Sequence, residues 1–230
     1  MGAEPQDRPM HPDGVSYPPA PWHLYGTAYL SLWQIRASSL PEASLSPDVR
    51  PRTVLGRVLV GTAFAVYEPS GMLAYDELLL AVQVRSGGPL SVSVPWIWVD
   101  HPASIAGARA LWSIPKQEAA FEVRRDHAVE EFDFEARAVT TQGLPLAHLR
   151  FRSRTMMPGR WPVRTSVVQP PLNNGGGCKP QVSEVRAWAR ASFGAATWNF
   201  PRSGPLSFLR GRSPLMSLRL TDMWLRIGSS

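Results

Sequence analysis

Amines are scarce in this chain, which makes the two it has informative. Of 24 basic residues, 22 are arginines; the two lysines are Lys116 and Lys179. A guanidinium stays protonated and cannot act as an amine nucleophile, so a lysine against such a background points to a place where an amine is needed. Lys179 lies between a glycine run, residues 175–177, and Pro180, which fits an exposed loop. Lys116 lies in residues 100–118, DHPASIAGARALWSIPKQE, close in sequence to Trp96, Ile97, Trp98, Trp112 and Ile114. A lysine condenses with a ketone only as the free amine. Lowering its pKa from ~10.4 to about 7 costs the ammonium form ~4.6 kcal/mol. A dry pocket can supply that, because burial shifts amines by up to ~3–5 units. A preceding helix C-terminus opposes it by only ~0.3–1 kcal/mol. The expectation is a proton-free amine walled by apolar side chains, Trp96 and Trp112 among them.

Other chemistries find less support. His11, His23, His101, His127 and His148 show no ligand spacing, so no metal site is expected. The single Cys178 allows no internal disulfide framework and no thiolate cluster. Gly-x-Ser-x-Gly, Walker and dinucleotide fingerprints are all missing, and no cofactor is expected. The net charge of +6 is spread along the chain rather than gathered in a stripe with stacking aromatics, which argues against nucleic-acid binding. Arg150, Arg152 and Arg154 alternate along one strand; a solvated face explains them better than an acidic partner does.

The elements that must position Lys116 are mostly strands. Tyr29 to Ile35, Val54 to Tyr67, Tyr75 to Val84 and Val92 to Val99 read as strands, with Gly56 and Gly61 as bulge candidates and Glu68–Gly71 as a turn. Ser104 to Trp112 reads as a helix with Ser104 as its cap, closed by Pro115. The second half alternates with period two: Phe132, Phe134, Ala136 and Ala138 against Glu131, Asp133, Glu135 and Arg137; Val185, Ala187, Ala189 and Ala191 against their neighbours; and Met216, Leu218 and Leu220 near the end. This predicts an α+β, mostly antiparallel fold, a barrel or strongly curved sheet with few short helices. Residues 1–21 read as a flexible Pro-rich arm and 22–230 as one domain. No apolar run is long enough to span a membrane, and the polar start lacks a signal core, so a cytoplasmic protein is expected.

The segment around Lys116 resembles the acetoacetate decarboxylase family. Asp100, Ile105, Ala106, Arg109, Leu111, Pro115 and Lys116 stand in the family's order; Gly71 to Glu77 resembles its Gly…Tyr-x-Glu stretch; and residues 18–26, Pro-Pro-x-Pro-Trp-x-Leu-x-Gly, resemble the opening of bacterial relatives. The resemblance implies a closed or cone-shaped β-barrel, a homo-oligomer, Lys116 as the Schiff-base lysine and Glu77 as an acid/base. Acetoacetate decarboxylase is itself the standard example of a lysine activated by desolvation or a neighbouring cation. Tyr75, Thr62, Trp96, Arg109, Trp112 and Gln117 are expected around a small keto substrate. Departures are also visible. Gln117 holds the place of a second lysine, Ala108-Arg109-Ala110 replaces Gly-Arg-Glu, Thr62 stands where a second glutamate is expected, and no arginine lies near Thr27. The implied function is a lyase forming an imine with a ketone, β-keto acid or 2-oxo acid, for decarboxylation or for aldol, dehydration or cyclisation chemistry. The alternative is a non-catalytic small-ligand-binding barrel that keeps the lysine.

Overall fold

The computed structural model describes residues 9, 10, 12, 14–86, 88, 90–125, 132–172 and 179–228, with Ala43 described by its backbone alone. His11, His127, Glu131, Cys178 and the glycine run at 175–177 lie outside them, as does most of the expected arm. Eleven strands and one α-helix follow in order among the described residues: β1 (Trp22–Arg36), β2 (Thr53–Val54), β3 (Arg57–Tyr67), β4 (Tyr75–Gln83), β5 (Val92–Val99), α1 (Pro102–Trp112), β6 (Lys116–Arg125), β7 (Phe134–Thr140), β8 (Pro145–Met156), β9 (Trp161–Gln169), β10 (Gln181–Asn199) and β11 (Met216–Ile227).

The sheet closes on itself. Its order is β1-β11-β10-β8-β7-β6-β5-β4-β3, and β3 pairs back to β1, so no long edge is left open along the ring. β9 bridges the ring from inside the sequence, pairing with β10 and touching β5 at Val92↔Val167. Most neighbours are antiparallel, as expected. β5 and β6 are parallel, and α1 is the crossover that such a pair requires.

β4 and β5 form a wall with apolar side chains on both sides. On β4, Leu78, Leu80 and Val82 are wholly buried in a filled core with Tyr29, Phe64, Phe134 and Phe151. Tyr75, Glu77, Leu79 and Ala81, two residues apart on the other face, line a cavity. On β5, Trp98 faces the filled core while Val94 and Ile97 face the second compartment. A strand covered on both faces loses its polar alternation, which is why YDELLLAVQ and VSVPWIWV read as nearly continuous apolar runs. Among the described residues no helix is long and apolar enough to cross a membrane.

Several local expectations change. β1 begins at Trp22, seven residues before the expected strand, because a register shift between Gly26 and Ala28 swaps the inward parity and breaks the period-two pattern. Gly26 is needed there, since a Cβ would stand 2.1 Å from the Val66 carbonyl oxygen. Gly56 turns β2 into β3, with Leu55 and Gly56 both at positive φ, while Gly61 lies inside β3. α1 starts at Pro102 with His101 as N-cap, and Ser104 forms no capping bond. At the start of β11 the buried residue is Ser217, bonded to Ser31 at 2.7 Å, rather than Met216 or Leu218, and Met223 and Ile227 are buried further along. Tyr17, the last tyrosine of the expected arm, is buried against α1, where a Cβ on Gly107 would meet its ring at 3.0 Å.

Candidate active site

Lys116 is the first residue of β6 and lies opposite Ile97 of β5. Two positions along β5, Val99 lies opposite Glu77 of β4. The pleat therefore sends Lys116 and Glu77 to the same side of the wall from strands that flank β5. Tyr75 precedes Glu77 by two residues and shares its face; Tyr67 sits beside Tyr75 across β3 and β4, with ring centres 4.7 Å apart. Ser104 comes down from the first turns of α1.

The result is a compact polar cluster. Lys116 Nζ lies 2.8 Å from Glu77 Oε2, and it donates to Tyr75 Oη at 3.0 Å and to Ser104 Oγ at 2.9 Å. The Tyr75 ring also sits under the amine, 4.5 Å from its centre. Tyr67 Oη donates to Glu77 Oε1 at 3.5 Å. Lys116 and Glu77 are each only 4 % exposed, so water scarcely screens the pair.

Burial pushes the Lys116 amine down, but the Glu77 carboxylate and the Tyr75 hydroxyl together push it further up, and the balance lies above the ordinary lysine value. The sequence led us to expect a proton-free amine. The resting site instead holds an ammonium matched to a carboxylate, because a buried charge is retained when a partner sits in hydrogen-bonding contact. Burial, with Glu77 nearby, raises Tyr67 well above 10; burial also raises Tyr75, against the opposing influence of Lys116, so both are neutral phenols at pH 7.

This cluster caps one end of a cavity of about 190 Å³. Apart from Thr165 the remaining wall is aliphatic and aromatic, including Trp22, Trp112, Ile114 and Val167. Trp112 meets Trp22 edge to face with centres 4.8 Å apart, and the Trp22 indole N–H donates to the Pro18 carbonyl at 2.8 Å. A Cβ on Gly107 would stand 2.3 Å from the Trp22 ring, so this glycine lets the indole approach α1 closely.

Of the residues expected near substrate, Lys116, Glu77, Tyr75 and Trp112 meet at the cavity; four do not. Gln117 follows Lys116 on a strand, so the pleat turns it outward to solvent. Arg109 is exposed on α1, and its Nη1 donates to the Lys116 carbonyl at 3.3 Å. It braces the lysine backbone rather than lining the cavity; Asp100, before the helix, accepts from the Asp76 amide. Thr62 faces the filled core and accepts from Trp33 Nε1 at 2.9 Å. Trp96 packs on Phe208 on that same side, with centres 5.7 Å apart. Ser104, Tyr67 and Trp22 are the members that sequence reasoning missed. Ser104 was detectable only as a hydroxyl twelve residues before the lysine, and its capping role was the more economical reading.

Asp76, on the opposite face of β4 from Glu77, is pushed up to about 6 by burial and by the Asp100 carboxylate, against the pull of Arg125. It does not line the cavity.

The profile of a family described as acetoacetate decarboxylase (ADC) matches residues 17–198. Among solved structures, an acetoacetate decarboxylase from Legionella pneumophila is similar with a TM-score of 0.68 at 17% identity, over 99% of this chain and 96% of that one. The enduracididine biosynthesis enzyme MppR complexed with pyruvate is similar with a TM-score of 0.67 at 14% identity, over 100% and 97%. An acetoacetate decarboxylase-like enzyme from Sphingomonas wittichii RW1 is similar with a TM-score of 0.60 at 17% identity, over 100% and 98%. No curated protein matches by sequence.

Proposed function

This chain belongs to the acetoacetate decarboxylase family and is a decarboxylase-like or aldolase-like enzyme; we propose that it works by forming an imine between Lys116 and the carbonyl carbon of its substrate. The observation that carries this reading is an amine hydrogen-bonded to Glu77, Tyr75 and Ser104 at the end of an otherwise apolar cavity.

The resting ammonium does not forbid the chemistry. Lys116 and Glu77 share a proton across 2.8 Å, and moving it from nitrogen to oxygen leaves the net charge of the cavity unchanged. In water the transfer is uphill by about six pKa units, or ~8 kcal/mol. In the cavity the desolvation of both ions, several kcal/mol each, favours the neutral arrangement against their mutual attraction. A carbonyl entering beside Nζ meets the amine as its proton passes to Glu77. Nitrogen bonds to the carbonyl carbon, the π pair of the C=O bond moves to oxygen, and that oxygen takes up the proton that nitrogen releases. Loss of water, with the proton returned from Glu77, gives the protonated imine. The imine then accepts an electron pair from the neighbouring carbon, released either as CO₂ departs or as Glu77 removes an α-proton. Tyr75 and Tyr67, both neutral donors, hold the carboxylate and the carbinolamine oxygen in place.

Borohydride reduction tests the reading. Incubation with a carbonyl substrate and borohydride should leave a reduced adduct on Lys116, located by peptide mass spectrometry. Lys116→Met should yield none and lose activity by at least about 10³-fold, as removal of a covalent nucleophile does. The raised pKa of the amine also favours a second reading, a non-catalytic ligand-binding barrel. Absence of an adduct with ketones, aldehydes, β-keto acids and 2-oxo acids alike would select that one.

A further inference from the structure

The cavity states what kind of molecule it accepts. From Glu77 it follows the same face of β4 through Leu79 to Ala81, four residues of strand or roughly 13 Å. Along that length the cavity is also lined by Val92 and Val94 of β5, Val167 of β9 and Val185 of β10. Thr165 is the one polar side chain at the far end. Among the described residues no arginine or histidine lines the cavity, and its single cation, Lys116, is already matched by Glu77.

A substrate carboxylate in this space would add an unmatched negative charge close to Glu77, with no second cation along the walls to balance it. An uncharged body loses nothing by leaving water and gains with each methylene buried. We propose that the substrate of this site is an uncharged ketone or aldehyde bearing a medium-length hydrocarbon arm that runs from Lys116 towards Ala81 and Thr165. The inference rests on the imine reading for its chemistry and on the cavity alone for its substrate class. With no carboxylate to lose, the imine goes forward by transfer of an α-proton to Glu77. The C–H electron pair becomes the enamine C=C bond and the imine electrons return to nitrogen. A second carbonyl compound can then be attacked by the enamine carbon, its oxygen taking the proton.

The test is a homologous series of methyl ketones, acetone to 2-undecanone, alongside pyruvate and acetoacetate. Binding is read by calorimetry and by the fluorescence of Trp22 and Trp112. It is measured in the wild-type chain and in a Lys116→Met/Glu77→Gln double variant, which removes the ion pair without stranding either charge. Affinity should rise about fourfold per methylene and level off once the arm fills the cavity. Ala81→Phe in the wild-type chain should bring that levelling to shorter ketones. A flat series, or pyruvate or acetoacetate binding as tightly as the medium-length ketones, overturns the substrate class. The two readings fail separately. Length-dependent binding with no borohydride adduct defeats the imine and leaves the substrate class standing. Adducts confined to short oxo acids do the reverse.

Discussion

The Lys116–Glu77 pair is best judged by what it costs. Two ions taken out of water lose several kcal/mol each, and replacing a buried pair by apolar residues is often neutral or stabilising. A chain that uses arginine for 22 of its 24 basic residues nevertheless places an amine here, 2.8 Å from a carboxylate. An amine can hand over its proton and a guanidinium cannot, so the residue choice matches proton transfer rather than stability. Glu77→Gln should show this directly. With the carboxylate gone, desolvation is opposed by the Tyr75 hydroxyl without help from Glu77, and the Lys116 pKa should fall from above the free-lysine value to below it. Nitrogen NMR of the lysine side chains can follow the change with only two signals to assign. The stability effect should reverse in sign as well. In the wild-type chain the raised amine contributes stability that is complete below the unfolded-state pKa and fades as pH rises through the folded-state value. In the variant the lowered amine makes stability fall as pH drops from the unfolded value towards the new one. Urea melts from pH 7 to 11 would expose a variant that behaves like the wild type, which would mean that Glu77 does not set the charge of Lys116.

α1 and the strands either side of it do the positioning. Lys116 opens β6 immediately after the crossover helix, and Arg109 on that helix holds the Lys116 carbonyl, so helix and lysine move together. Gly107 sets how near Trp22 comes to α1. Gly107→Val should therefore cost ~1–3 kcal/mol by overpacking. It should also push the Trp22 indole off its seat, lowering the yield of borohydride adduct at Lys116. If urea midpoint and adduct yield both stay unchanged, the packing drawn here is wrong. At this scale the sequence was readable wherever one face of a strand is wet. Phe134, Ala136 and Ala138 on β7 and Ala187, Ala189 and Ala191 on β10 are buried as their alternation required. It was unreadable where that condition fails. β6, KQEAAFEVRR, is rich in charge, and β9 opens with Trp-Pro; neither shows an apolar rhythm, and their place is fixed by the strands they pair with.

Across the whole molecule, one wall serves two compartments of opposite kind. The filled side supplies stability, and the hollow side holds the candidate site. Leu80→Ala, on the filled side, should cost ~2–5 kcal/mol with adduct formation at Lys116 unchanged. Leu79→Ala, one residue away on the hollow side, should cost less and let longer ketones bind, since it enlarges a space that already exists. Denaturant titration together with the ketone series would detect the contrast. Equal behaviour of the two variants would argue against separate compartments.

By itself the sequence determined the strand-rich class, the family, and the amine and carboxylate at the centre of the site. Those depend on residue type and short spacing, such as Tyr75 and Glu77 two apart on one strand face. Only the tertiary structure decided which other residues join them. Ser104 and Tyr67 reach the cluster through the crossover and the β3–β4 pairing, while Thr62, Trp96, Arg109 and Gln117 are turned elsewhere by the pleat and the helix. The protonation of Lys116 was likewise beyond sequence. Burial and a neighbouring carboxylate act on it in opposite directions, and a separation of 2.8 Å across two strands settles which prevails.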